Sequence, residues 1–232
     1  MLKTLTLLSC DGFTFLDDSE FPHSDPAQSN AVLYLWSANV PAHPWTTVTD
    51  DDDLVSALVT RFFLWEWPWY NYINKPAFLE DMCSVSPNQP GAGVPGATEN
   101  WSREFCSPCL VNAICAIGAM SSRHPGAFKF PGDLKSRGHH FAEEAERLIR
   151  AEDLNKPSLT TMQAIWITMW FRGAAGQRFL CSEFAERFYW TYDQLKLSQE
   201  FQRPREYDFD PKARQYWRAL SEIIWGFYCQ DT

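Results

Sequence analysis

The sequence predicts an all-α, multi-helix fold, on three observations. Apolar residues recur at three- and four-residue spacing in one block after another, which gives each block a single greasy face. Ser, Thr or Asp, several times with Pro one residue on, stands where a block begins, as helix starts require. No pair of alternating apolar segments is joined by a tight turn, so strand pairing finds no support. Helices of this kind bury their stripes against one another.

Residues 1–48 carry Pro, Ser, Asp and short apolar pieces without a period, and read as a loose leader ending at Pro41-Ala42-His43-Pro44-Trp45. The first helix starts at Thr49, whose hydroxyl can accept from a first-turn amide. Asp50 to Asp53 then set four carboxylates at the positive end of the helix dipole. Leu54, Val55, Leu58, Val59, Phe62 and Phe63 share one face. Trp65, Trp67, Trp69, Tyr70 and Tyr72 crowd around Pro68, which ends or kinks the helix. A second helix runs from Lys75 to Met82 with Pro76 near its start. Residues 84–100, rich in Pro, Gly, Asn and Ser, form a loop.

Ser107-Pro108 caps and opens the next helix, and Leu110 to Met120 are apolar on nearly every side, so this helix is buried all round. Arg123-His124-Pro125-Gly126 ends it, and 126–137 is a loop. Phe141, Ala145, Leu148 and Ile149 mark another helix, with Glu143–Arg147 and Glu146–Arg150 spaced for ion pairs. Pro157-Ser158 breaks and caps. Leu159 to Phe171 form a helix that Gly173 and Gly176 close. Ser182 caps a helix to about Leu197, with Phe184, Phe188 and Tyr192 on one stripe. Asp210-Pro211 opens a last one carrying Tyr216, Trp217, Leu220, Ile223, Ile224 and Phe227.

A chain of 232 residues is long enough to bury roughly 70% of its unfolded surface without staples. Its 11 Trp and 17 Phe call for a large aromatic interior or a partner surface. A net charge of −9 argues against a grip on nucleic acid, which needs a basic face. Seven cysteines are an odd count, and four lie in apolar helical surroundings. That suits buried thiols in a reducing compartment better than a disulfide framework. The apolar run after Met1-Leu2-Lys3 is about five residues, short of the ~7–15 of a signal peptide. Leu7-Leu8-Ser9-Cys10 is only loosely like a lipid-attachment box for the same reason. No run approaches the ~20 apolar residues of a membrane span.

Candidate chemistry is thin. Gly91-Ala92-Gly93-Val94-Pro95-Gly96 has the letters of a dinucleotide loop, but Pro87, Pro90 and Pro95 argue against the strand and helix that mechanism needs. Cys106, Cys109 and Cys115 resemble half of a zinc knuckle, with no second pair of ligands at usable spacing. His139 and His140 stand one turn from Glu143 and Glu144 and could hold a metal only with a further ligand from elsewhere. Four adjacent acids, Asp50 to Asp53, cannot wrap a calcium ion as an alternating loop does. The aromatic cluster from Trp65 to Tyr72 either fills a core or lines a pocket, and core is the better reading.

Four blocks in order resemble the regulatory, or middle homology, domain of fungal zinc-cluster transcription factors, also called the xylanolytic-activator type. They are Trp45 to Met82, notably Val48 to Val55 and Phe78-Leu79-Glu80-Asp81-Met82; Phe105-Cys106-Ser107 with Leu110 to Ile114 and Ala116 to Ala119; Phe141 to Ile149; and Pro157 to Ala164 continuing to Gly176. The resemblance covers roughly residues 41–178. Phe188-Tyr189-Trp190 departs from the small residues and Met usual there. Trp225-Gly226-Phe227 is similar to the family's aromatic helix, after which the chain stops. The six-cysteine binuclear zinc cluster is absent, and Cys106, Cys109 and Cys115 do not supply it.

The resemblance implies an expected division into a leader, 1–48, and a helical transcription-factor regulatory domain, 49–232, cut at both ends. It implies a nuclear location and control of transcription through protein partners of the transcription machinery, with DNA reached only through a missing domain. A homodimer and a small-molecule effector held between helices are further candidates. No catalytic, cofactor-binding or metal site is assigned in this chain. The alternatives are a helical enzyme with an aromatic pocket and a weak metal site at His139, His140 and Glu143, and a shortened paralogue without function.

Overall fold

A computed structural model describes residues 39–66, 72–84, 103–153, 157–197 and 211–231. The described residues form helices α1 (Asp52–Arg61), α2 (Lys75–Cys83), α3 (Pro108–Met120), α4 (His139–Ala151), α5 (Leu159–Ala174), α6 (Arg178–Leu197) and α7 (Pro211–Asp231). They contain no strand, only an isolated bridge between Phe128 and Arg137. The fold is all-α.

Capping fixes where these helices start. The cap of α1 is Asp51 rather than Thr49. Its carboxylate accepts from Leu54 N–H at 3.0 Å, while Thr49 Oγ1 accepts from Asp51 N–H in the turn before. Asn74, Ser107 and Ser158 cap α2, α3 and α5 in the same way. α1 passes into a π turn, Phe62–Glu66, ahead of the aromatic cluster. Of that cluster, Trp67, Pro68, Trp69 and Tyr70 and the side chain of Trp65 lie outside the described residues, as do the 85–102 segment with Gly91 to Gly96, and Cys10. Tyr72 is buried edge-on to Trp166.

α3 is the axis. Every residue from Pro108 to Ala119 is buried, and α1, α4 and α5 pack around it. Gly118 permits the α1 crossing, because a Cβ there would stand 2.1 Å from the Leu58 carbonyl oxygen. Gly138 opens α4 at φ +73°, and a Cβ would meet Ala116 O at 2.3 Å. α5 ends in a Schellman turn: Gly176 N–H bonds Gly173 O, and Gln177 N–H bonds Arg172 O. α6 follows at once, from Arg178, and lies along α5. Ser182 is therefore not its cap; its hydroxyl donates to Arg178 O one turn back, inside the helix. α7 rests on α5 through Ala219, Leu220 and Ile223.

Residues 39–48, placed with the leader on sequence, are packed into the helical body. Val40, Ala42 and Trp45 are buried, and Trp45 Nε1 donates to Met82 O at 2.9 Å. Ser56 Oγ accepts from Val40 N–H, and Asp52 Oδ1 from Ala42 N–H at 2.7 Å. Irregular backbone can be buried here because α1, α2 and α3 supply its hydrogen bonds.

Candidate functional site

Among the described residues, buried polar side chains converge in two main places and a smaller third. The first crosses α5, α4 and α6. Arg172 sits on the last turn of α5, otherwise apolar, and is 3% exposed. Its Nε donates to Glu146 Oε1, and its Nη1 donates to Gln177 Oε1 at 2.6 Å and to His139 Nδ1 at 3.3 Å. Glu146 also receives Arg150 at 3.3 Å. Arg150 reaches Glu183 of α6 at 3.2 Å, and Glu183 receives Arg187 at 3.4 Å. Cation and anion alternate along this chain, so each buried charge has an opposite neighbour. The aromatic faces of Phe171 and Phe184 lie against Arg172 and Arg150 at 5.5 Å.

The second place is the Glu152 carboxylate at the end of α4. It accepts from Thr161 Oγ1 and, at 3.4 Å, from Cys109 Sγ, and Cys109 meets Ser107 Oγ at 3.2 Å. One carboxylate thus ties the amino-terminal turns of α3 and α5 together, where helix dipoles favour an anion. A smaller buried set fixes the 39–48 segment. Asn112 Oδ1 accepts from Thr46 Oγ1 at 2.7 Å, and Asn112 Nδ2 donates to Trp45 O and Pro108 O.

The cysteine triad lies in the core. Cys106, Cys109 and Cys115 are buried, and desolvation pushes each thiol above its ordinary range. Thiols held protonated in apolar surroundings behave as small hydrophobes. The histidine pair is spent on structure. His140 Nε2–H donates to Gly126 O at 3.0 Å, and His139 accepts from Arg172. Desolvation lowers both imidazole pKa values, for His139 with help from the Arg172 charge. Glu143 pairs with Lys129 at 2.5 and 2.6 Å, and Glu144 with Arg147 and Thr47. The expected Glu143–Arg147 pair gives way to these, while Glu146–Arg150 forms. Asp51 and Asp52 are engaged as a cap and a backbone acceptor. Among the described residues no three His, Cys, Asp or Glu side chains come together to hold a metal ion. No described helix is long and apolar enough to cross a membrane.

Arg172, Gln177, Asn112 and Glu152 carry this interior and were not singled out on sequence. The available signal was a charged or amide residue inside an apolar stripe. Arg172 and Asn112 are such residues, and Glu146 lies between Ala145 and Ile149 on the buried face of α4.

The profile of the fungal specific transcription factor domain matches residues 59–232. The nitrogen assimilation transcription factor nit-4 of Neurospora crassa is 37% identical over 126 residues, 54% of this chain and 11% of that protein. The nitrogen assimilation transcription factor nirA of Emericella nidulans is 38% identical over 122 residues, 52% of this chain and 12% of that protein. The notoamide biosynthesis transcriptional activator notL' of Aspergillus versicolor is 37% identical over 129 residues, 56% of this chain and 18% of that protein. The matched stretch thus spans less than a fifth of the length of each of these relatives. No solved structure matches the chain.

Proposed function

The chain belongs to the fungal specific transcription factor domain family, and from that premise we propose that it is a regulatory module that works in the nucleus by protein contact and performs no catalysis of its own. The observation that carries this reading is the family match over residues 59–232, to which the interior adds support. Its charged and amide groups are turned toward one another, from Gln177 through Arg172, Glu146 and Arg150 to Glu183, and serve to lock helices rather than to face a substrate. A locked bundle transmits through its surface. DNA contact and choice of target belong, on this reading, to parts of the full regulator outside the matched stretch, consistent with the net charge of −9.

The test is a tethered reporter assay. The chain is fused to an unrelated DNA-binding module in fungal cells, and transcription is compared with that of the module alone and of the module carrying an inert helical bundle. A change in output specific to this chain is expected. Output equal to the inert fusion would overturn the reading. So would sequence-selective binding of labelled DNA by the purified chain alone.

A further inference from the structure

The carbonyl end of α3 is capped by two guanidinium groups. Arg61 Nη1, from the end of α1, donates to Ser121 O at 2.8 Å, and Arg137 Nη1 donates to Met120 O at 3.3 Å. Among the described residues neither has a carboxylate partner, and Arg137 Nε is buried without an acceptor. Burial and the neighbouring Arg137 charge both lower the pKa of Arg61, as two cations in need of an anion would show. Arg137 closes a loop held from within. Ser136 Oγ accepts from Phe130 N–H at 3.0 Å, Asp133 accepts from Lys135 N–H, and Gly138 N–H bonds Ala127 O. This well-bonded loop holds Phe130 (58%) and Leu134 (66%) out to solvent. Residues 121–138 carry four basic side chains against one acid, in a chain of net charge −9.

The complementary chemistry lies in the same sequence. Residues 11–21 contain Asp11, Asp17, Asp18 and Glu20 with no Lys or Arg, interleaved with Phe13, Phe15, Leu16 and Phe21. We propose that Arg61, Arg137 and Lys135, with Phe130 and Leu134, form a docking face for the acidic, aromatic stretch 11–21 of this same chain. The carboxylates answer the cations, and the rings cover the two exposed side chains. Reach is ample. Val40, next to the first described residue, is bonded to Ser56 on α1, and Arg61 is about 7.5 Å further along that helix. The 18 residue-to-residue steps from Phe21 to Asn39 extend to about 60 Å. A tether of this length gives an effective concentration on the order of 1 mM, so even a contact of millimolar affinity covers the face about half the time.

This inference deepens the regulatory reading by naming what the bundle grips. Its test is carbodiimide coupling of the full chain followed by peptide mass spectrometry, since that reagent joins only a carboxylate and an amine already in contact. Links within one molecule from Lys135 to Asp17, Asp18 or Glu20 are expected, lost in high salt and in Lys135→Glu. In the variant Asp17→Asn, Asp18→Asn, Glu20→Asn, hydrogen exchange at residues 129–137 should rise about twofold, the gain from releasing a half-covered face. Links between two molecules, or no links together with unchanged exchange, would overturn the proposal. A failure here leaves the reporter result standing, so the two readings fail separately.

Discussion

α3 and α7 are drawn from different kinds of residue, and the molecule treats them accordingly: α3 carries no charged side chain, whereas α7 carries Lys212, Arg214, Arg218, Glu222 and Asp231. α3 has 13 residues and buries all but the last. α7 has 21 residues, and of those with described side chains it buries Ala219, Leu220 and Ile223 while leaving Trp225 66% exposed. The longer helix is the less embedded one. Burial in these two helices therefore follows apolar content rather than helix length. α3 also explains why the interior tolerates charge. Helices packed on an axis apolar but for Asn112 have to meet one another at their edges, and there Glu146, Arg172 and Glu152 hold them in register.

The largest expected effect lies at that edge. Arg172→Met leaves Glu146 buried with a single, partly exposed partner and should cost about 3–5 kcal/mol in urea unfolding. Adding Glu146→Leu should recover most of it, because two apolar groups need no counter-charge. If the single variant costs nothing, the interior is no more tightly held than α7, and the contrast between the regions breaks. Gly118→Ala forces α3 away from the Leu58 carbonyl and should cost about 2–3 kcal/mol by the same measurement. Ser158→Ala removes the α5 cap at its meeting with Glu152 and Thr161, for about 1 kcal/mol.

A smaller effect comes from pH. Burial and the Arg172 cation lower the pKa of His139 from its ordinary 6.5, so the folded state binds fewer protons there than the unfolded chain does. The contribution is fully present above pH 6.5 and is lost as pH falls below that value. The urea midpoint should decline with acidification from 6.5 downward, less steeply in His139→Gln. At the other extreme, Trp225→Gln on α7 should shift stability by no more than about 0.5 kcal/mol. A loss near that of Gly118→Ala would show α7 to be held as firmly as the axis.

Much of the architecture was legible in the sequence. The buried faces of α1, α3 and α5 follow from spacing, and Ser107 and Ser158 from their place before apolar runs. What was not legible depends on partners far along the chain. The 39–48 segment has no period to read, because its burial is licensed by Asn112, Met82 and Ser56. Glu146 and Arg172 are 26 residues apart, and nothing local predicts that they meet. Ser182 misled because it precedes an aromatic stripe, whereas the turn at Gly176 had already launched α6. Glu143 had Arg147 at the right spacing and found Lys129, brought near by the loop before α4. The family resemblance was legible in four blocks and is supported by a profile match over residues 59–232.

The strap formed by Trp45 and its neighbours has a practical corollary. A fragment begun at Thr49 would retain the seven described helices yet lose the indole beneath α2, opening a hollow lined by apolar walls. It would also strip Met82 O of its donor and Asn112 of two of its three bonds. Any cut between Asn39 and Val48 would leave a sticky, half-sealed bundle.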